Sequence, residues 1–128
     1  LKKELSERQK AYREYLRSPQ WIELRQWAIT VLGDRCALTD RKLRRCWINV
    51  HHVRYPVNWH DTRVADLVIL SRNAHRLLHF YQKEGMITAF DEQGIRIARN
   101  LLMNGDGHRT LVKRVLRELP RTYCRNGH

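Results

Sequence analysis

The stretch that decides the fold runs from Trp47 to His79, WINVHHVRYPVNWHDTRVADLVILSRNAHRLLH. It holds an adjacent pair, His51-His52, and then His75 and His79 four residues apart. Residues four apart on a helix share one face, so a helix here brings both rings together. One histidine of the pair joins them around a metal ion. The other stands beside the metal, where it can deprotonate a water. This is a layout for metal-assisted hydrolysis, and histidine suits the base role because its ordinary pKa lies near neutrality.

The surrounding elements follow from local pattern. Asp66-Leu67-Val68-Ile69-Leu70 reads as a short, extended, buried run, and residues 54–65 as a loop with Pro56, Asn58 and Asp61. Asn73 is a candidate cap for a helix from about Ala74 to Lys83, ended by Gly85. Upstream, Cys36-Ala37-Leu38, a basic turn from Asp40 to Arg45, and Trp47-Ile48-Asn49-Val50 read as a two-stranded hairpin whose second strand ends in the histidine pair. Residues 2–17 read as a charged helix. Ser18-Pro19 starts another, with Trp21, Leu24, Ala28 and Val31 as its core-facing stripe and Gly33 closing it. Downstream, Ile95, Ala98, Leu101 and Leu102 mark a helix, and Asn104-Gly105-Asp106-Gly107 a turn. A last basic helix covers His108 to Leu119, with Leu111, Val115, Leu116 and Leu119 on its apolar side. The four tryptophans are expected in the core. His60 and His108 have no motif around them.

Composition narrows the partners. The chain has 128 residues, 42% of them hydrophobic, which suits a single domain with a modest core. Its net charge of +12 points to a polyanion, most often nucleic acid. The basic charge gathers around the histidines and at the C-terminus, while residues 81–95 are net acidic. Cys36, Cys46 and Cys124 are odd in number and irregularly spaced, so no disulfide framework is implied and a reducing, intracellular location fits, cytoplasmic or nucleoid-associated. No apolar run is long enough to span a membrane, and the charged start, Leu1-Lys2-Lys3-Glu4-Leu5, does not read as a signal peptide. The absence of an initiator Met reads as a fragment.

Six blocks in order carry a family resemblance: Tyr15-Leu16-x-Ser18-Pro19-x-Trp21, Leu24-Arg25, Arg35-Cys36-x-Leu38, Val50-His51-His52-Val53-x-Tyr55, Asp66-Leu67-Val68-x-Leu70, and His75-x-x-x-His79. Together they resemble the HNH endonuclease family, in the branch that reads His-His-x-x-Tyr, then Asp-Leu, then Cys-x-x-Cys-His. The resemblance covers roughly residues 15–80. It implies an α+β fold built on a ββα-metal core with a two-stranded hairpin; residues 81–128 lie outside it, and the local patterns add flanking helices at both ends, N-terminal helices over 2–32 and a basic helical extension over 81–128. It implies His52 as general base, His51 and His75 as metal ligands, and His79 as a further histidine approaching the metal. Asp66 stands where the family's middle Asn lies; its implied role is to hold the loop and orient the base, and capping of the loop backbone is an equal alternative.

This branch also carries two Cys-x-x-Cys pairs that bind a structural zinc. Here they read Cys36-x-x-Thr39 and Ser71-x-x-Ala74, so no structural zinc is expected and packing must hold the fold. The expected cofactor is one divalent ion, Mg²⁺ or Mn²⁺ by the chemistry, with Ni²⁺ or Zn²⁺ favoured by imidazole ligands. The expected activity is hydrolysis of DNA phosphodiesters. The basic turn, with Arg41, Lys42, Arg44 and Arg45, is a candidate phosphate contact. So are Arg54, Arg72 and Arg76 near the histidines, and Arg109, Lys113, Arg114 and Arg117 on the last helix. Two further readings stand beside this one: a catalytically silent nucleic-acid-binding module, and a homodimer or larger complex assembled through residues 81–128.

Overall fold

The computed structural model describes residues 5–53, 58 and 61–120. The protein is α+β, and its described residues form five α-helices around one two-stranded antiparallel hairpin. Helix α1 spans Glu7–Arg17 and α2 spans Pro19–Leu32. Strand β1 is Asn49–His52, β2 is Leu67–Leu70, and α3 is Arg72–Lys83. Then come α4, Glu92–Met103, and α5, Arg109–Glu118. Among the described residues no helix is long and apolar enough to cross a membrane.

The first corner is made by one residue. Ser18 ends α1, its N–H donating to Tyr15 O, and caps α2, its Oγ accepting from Trp21 N at 3.2 Å. Pro19 then occupies the first turn, where its missing N–H has no cost. The turn brings Tyr15 against Trp21, ring centroids 5.4 Å apart. Helix α1 begins at a capping box: Ser6 Oγ accepts from Gln9 N, and Gln9 Oε1 accepts from Ser6 N.

The hairpin is not the one expected. β1 pairs with β2, in the register Asn49↔Leu70, Val50↔Ile69, His51↔Val68 and His52↔Leu67. The histidine pair therefore ends the first strand of the hairpin. Residues 36–38 form no strand; they belong to a tight turn in which Asp40 N donates to Cys36 O at 2.8 Å and Asp40 takes a left-handed φ of 60°. The turn buries Cys36, Leu38 and Thr39 and touches the hairpin through Ala37 N, which donates to Ile69 O. The β-branched, apolar Leu67–Leu70 run is the better partner for β1 because it fills the core on both faces. Helix α3 starts earlier than Asn73 suggested. Ser71 caps it, its Oγ accepting from Ala74 N at 3.1 Å, directly where β2 stops.

Two apolar clusters meet at the hairpin. The larger takes Leu70 from β2, Leu77, Leu78 and Tyr81 from α3, Ile95, Ala98 and Leu102 from α4, and Val112 and Val115 from α5. The smaller joins Tyr15, Trp21, Ala28 and Leu67. Val50 packs against both. Thus α4 and α5 supply core, not merely a basic extension. The tryptophans divide: Trp21 is buried, whereas Trp27 and Trp47 are 59% and 61% exposed, and Trp59 lies outside the described residues. Val31 is also exposed, because the face of α2 against the hairpin is narrow and carries only Trp21 and Ala28 fully inward.

Removing a fully buried side chain from the larger cluster is costly. Leu78→Ala is expected to lower unfolding free energy by about 2–5 kcal/mol, whereas Val31→Ala should change it by about 0.5 kcal/mol or less; urea titrations of the two variants check the contrast.

Candidate metal centre

The pleat of β1 sorts the histidine pair. Successive strand residues face opposite ways, so His51 and His52 point to opposite sides of the hairpin. His51 faces α3, where His75 and His79 stand one turn apart. The ring centroids of His51 lie 4.2 Å from His75 and 5.0 Å from His79, and His75 lies 4.5 Å from His79. One nitrogen from each ring falls within 4.8 Å of the others, and the Nε2 atoms of His75 and His79 are 2.8 Å apart. These three histidines, which sequence spacing singled out, are brought together.

Their protonation favours ligation. Burial first, then the neighbouring His75, His79 and His52, pushes the pKa of His51 down to about 3. Burial, then His79, pushes His75 down to about 4, and burial lowers His79 as well. At neutral pH all three rings are therefore uncharged, the form that binds a metal. Nitrogens this close can share one ion at metal–nitrogen distances of about 2.0–2.1 Å after small side-chain adjustments. Three protein donors leave coordination positions for water or substrate oxygen. The donor set fits a divalent ion, and imidazole favours Mn²⁺, Ni²⁺ or Zn²⁺ over Mg²⁺.

Phe90 was not foreseen. Its ring lies 5.2 Å from His51 and 5.0 Å from His79, walling one side of the triad. The loop before α4 holds it there. Phe90 N donates to Val53 O, and the backbone of Gly94 approaches Ala89 so closely that an added Cβ would sit 1.8 Å from the Ala89 carbonyl oxygen. No periodicity in residues 81–91 announced this wall.

His52 occupies the other face. It is 2% exposed and stacks on Trp21 at 5.3 Å, with Tyr15 and Tyr12 at 6.0 and 6.2 Å. Its Nε2 lies 3.5 Å from Thr62 Oγ1. Burial lowers its pKa and the carboxylate of Asp66 raises it. Asp66 also caps the loop, its Oδ2 accepting from Arg63 N at 2.9 Å, while its carbonyl accepts from Val53 N at 2.7 Å. Asp66 thus caps the loop backbone, and its charge acts on His52. His51 and His52 both border a pocket of about 250 Å³ closed by Val53, Gln82 and residues 88–90.

The basic residues separate into two groups. Arg41, Lys42, Arg44, Arg72, Arg76 and Arg114 line one cleft of about 670 Å³, formed where the 41–44 turn, the start of α3 and the end of α5 meet. Arg45, Arg109, Lys113 and Arg117 are exposed but lie outside it. Arg54 and His60 lie outside the described residues. His108 is a cap, its Nδ1 accepting from Leu111 N at 3.4 Å.

Of the four positions expected to lack zinc ligands, Cys36 and Ser71 are in contact. Cys36, Thr39, Ser71 and Ala74 are all buried. Ser71 N donates to Cys36 Sγ at 3.4 Å, and Ser71 Oγ lies 3.9 Å from that sulfur. Arg99 of α4 braces the same turn, donating to Leu38 O at 3.2 Å and to Ala37 O at 2.8 Å. Family models, curated proteins and solved structures were all compared with this chain, and none matches it.

The depressed pKa values give the metal-free protein a definite pH dependence. The unfolded chain binds protons from about pH 6.5 downward, while the folded rings resist them. Stability is therefore full above about pH 6.5 and declines as pH falls towards 4, as urea midpoints in EDTA will show. A second expectation concerns ligation: Zn²⁺ or Ni²⁺ at 100 times its dissociation constant should add about 2.7 kcal/mol, and His75→Ala should abolish that gain in thermal melts.

Proposed function

We propose that this chain is a metal-dependent endonuclease that hydrolyses DNA phosphodiesters on an HNH-like ββα-metal core. The observation that carries the reading is the convergence of His51 from a hairpin strand with His75 and His79 from the following helix, whose first turns also line a cleft of six cations. The order strand, loop, strand, helix supports the same reading, as does the meeting of Cys36 and Ser71 where the family branch places its zinc knuckles.

His51, His75 and His79 hold the ion. When bound, a divalent ion supplies Lewis acidity at the phosphoryl and leaving oxygens. His52, on the other face of β1, is the general base on this reading: it and His51 border one pocket at the end of the strand, where it can take the proton of the attacking water, and its lowered pKa keeps the ring neutral for that role. Asp66 raises its proton affinity. Arg72 and Arg76 lie three residues before His75 and His79 on α3, so their side chains neighbour the triad on the helix surface and can fix the scissile phosphate.

One observation favours a second reading. His52 is packed against Trp21 with 2% of its surface exposed, as a structural residue would be. On that reading the chain is a nucleic-acid-binding module without catalysis.

Plasmid nicking in EDTA, Mg²⁺, Mn²⁺, Ni²⁺ and Zn²⁺ decides between them. The nuclease cuts only with metal. His75→Ala removes the metal response, and His52→Ala slows cutting about 100- to 10,000-fold with DNA binding unchanged, circular dichroism confirming that the variant is folded. Absence of cutting in every metal, with DNA still bound, establishes the silent module.

A further inference from the structure

Trp47 is one of two exposed tryptophans among the described residues. It is 61% exposed and lines the basic cleft together with Arg41, Lys42, Arg44, Arg72, Arg76 and Arg114. Its backbone is anchored on both sides. Trp47 N donates to Arg44 O in a one-turn 3₁₀ helix, and the next residue, Ile48, is buried and accepts from the Arg25 guanidinium of α2 at 3.0 Å. The indole is therefore presented from a fixed backbone rather than a free loop tip. Among the described residues none of the six cations forms an ion pair. The N-terminus of α3 opens into the same cleft at Ser71, Arg72 and Asn73, adding its positive dipole end.

We propose that this cleft binds an unpaired nucleotide segment, its phosphates on the six cations and one base stacked on Trp47. The proposal deepens the nucleic-acid reading above and rests on it, though not on catalysis. Three arguments support it. An aromatic face among unpaired cations is the combination that holds single strands, where the backbone supplies charge and each base supplies a π-face. In a duplex that face is already covered by stacking, so only an unpaired or extruded base can lie on the indole. The cleft is concave and its volume lies within the range of about 300–1,000 Å³ that encloses a small ligand, which suits a nucleotide and not a duplex some 20 Å across.

One further group fits this occupant. Glu118 also lines the cleft, and its Oε2 is buried with no hydrogen-bond partner among the described residues. A carboxylate there repels phosphate but accepts from the amino or imino N–H of a base, so it faces the part of the ligand that is not charged. The geometry of α3 then relates the cleft to the triad. Arg72 and Arg76 line the cleft and lie three residues before His75 and His79 on the same helix, so a strand held in the cleft runs along the helix that carries two rings of the triad.

The test is fluorescence anisotropy in EDTA with labelled single-stranded DNA, single-stranded RNA of the same sequence, and duplex DNA, at fixed salt. Trp47→Ala should weaken single-strand binding about tenfold and duplex binding less than twofold, and Trp47→Phe should restore most of the loss. The DNA and RNA arms identify which strand the cleft prefers. Equal loss on single strand and duplex, or no loss on single strand, overturns the proposal. Because no metal is present, a failure to nick plasmids leaves this result unaffected, and failure of both strands to bind at all defeats the nucleic-acid reading itself.

Discussion

The rest of the structure depends on the two-residue period of β1. Because neighbouring strand residues face opposite ways, an adjacent histidine pair cannot put both rings on one side of the hairpin. His51 goes to α3 and meets His75 and His79; His52 goes to α1 and α2 and meets Tyr12, Tyr15 and Trp21. The register with β2 fixes this division, since a slip of one residue would exchange the two faces. Each cluster of the core thus receives one histidine, and Val50, one residue earlier, packs on both clusters. The hairpin is short, but it is the shared wall between a polar, metal-suited side and an aromatic, enclosed side.

The helices hold that wall from outside. Arg25 of α2 fastens the approach to β1 through Ile48 O, and Arg99 of α4 fastens the 36–40 turn through two carbonyls. Both arginines spend their guanidinium donors on backbone oxygens of irregular segments, which have no regular partners of their own. The turn in question carries Cys36 against Ser71, with Thr39 and Ala74 also buried. A fully buried cluster of small side chains with a sulfur accepting from a backbone N–H occupies this junction, and α3 begins from it. The orientation of His75 and His79 is therefore set by how the start of α3 packs on the turn.

Much of this was legible in the sequence where the determining contacts are local. Ser18-Pro19 marked the α1–α2 corner, the i,i+4 spacing of His75 and His79 placed them on one face, and the apolar run at Leu67–Leu70 was rightly read as extended and buried. The partner of β1 was misjudged because residues 36–38 look strand-like over three positions, and only the long-range competition with Leu67–Leu70 decides the pairing. Helix α3 began at Ser71 rather than Asn73 because the end of β2 fixed which of two good capping residues was available. Exposure of Trp27 and Trp47 defied their size, since hydrophobicity alone does not say which face of an element finds a neighbour. Phe90 and the grouping of Arg41, Arg72 and Arg114 come from segments far apart in sequence, with no pattern at any one of them.

Gly94 shows how far the metal side extends. The residue carries no chemistry, lies in the first turn of α4 and touches none of the histidines. Yet its missing side chain lets the Ala89 carbonyl come close, and Phe90 follows directly after. One methyl group at position 94 must displace that carbonyl, and the loop that walls the triad moves with it. The evolutionary freedom of the site is thus narrower than its three rings suggest: a glycine more than a dozen residues beyond His79 is bound to them by shape alone, and drift at that position would be registered as a change in the metal pocket.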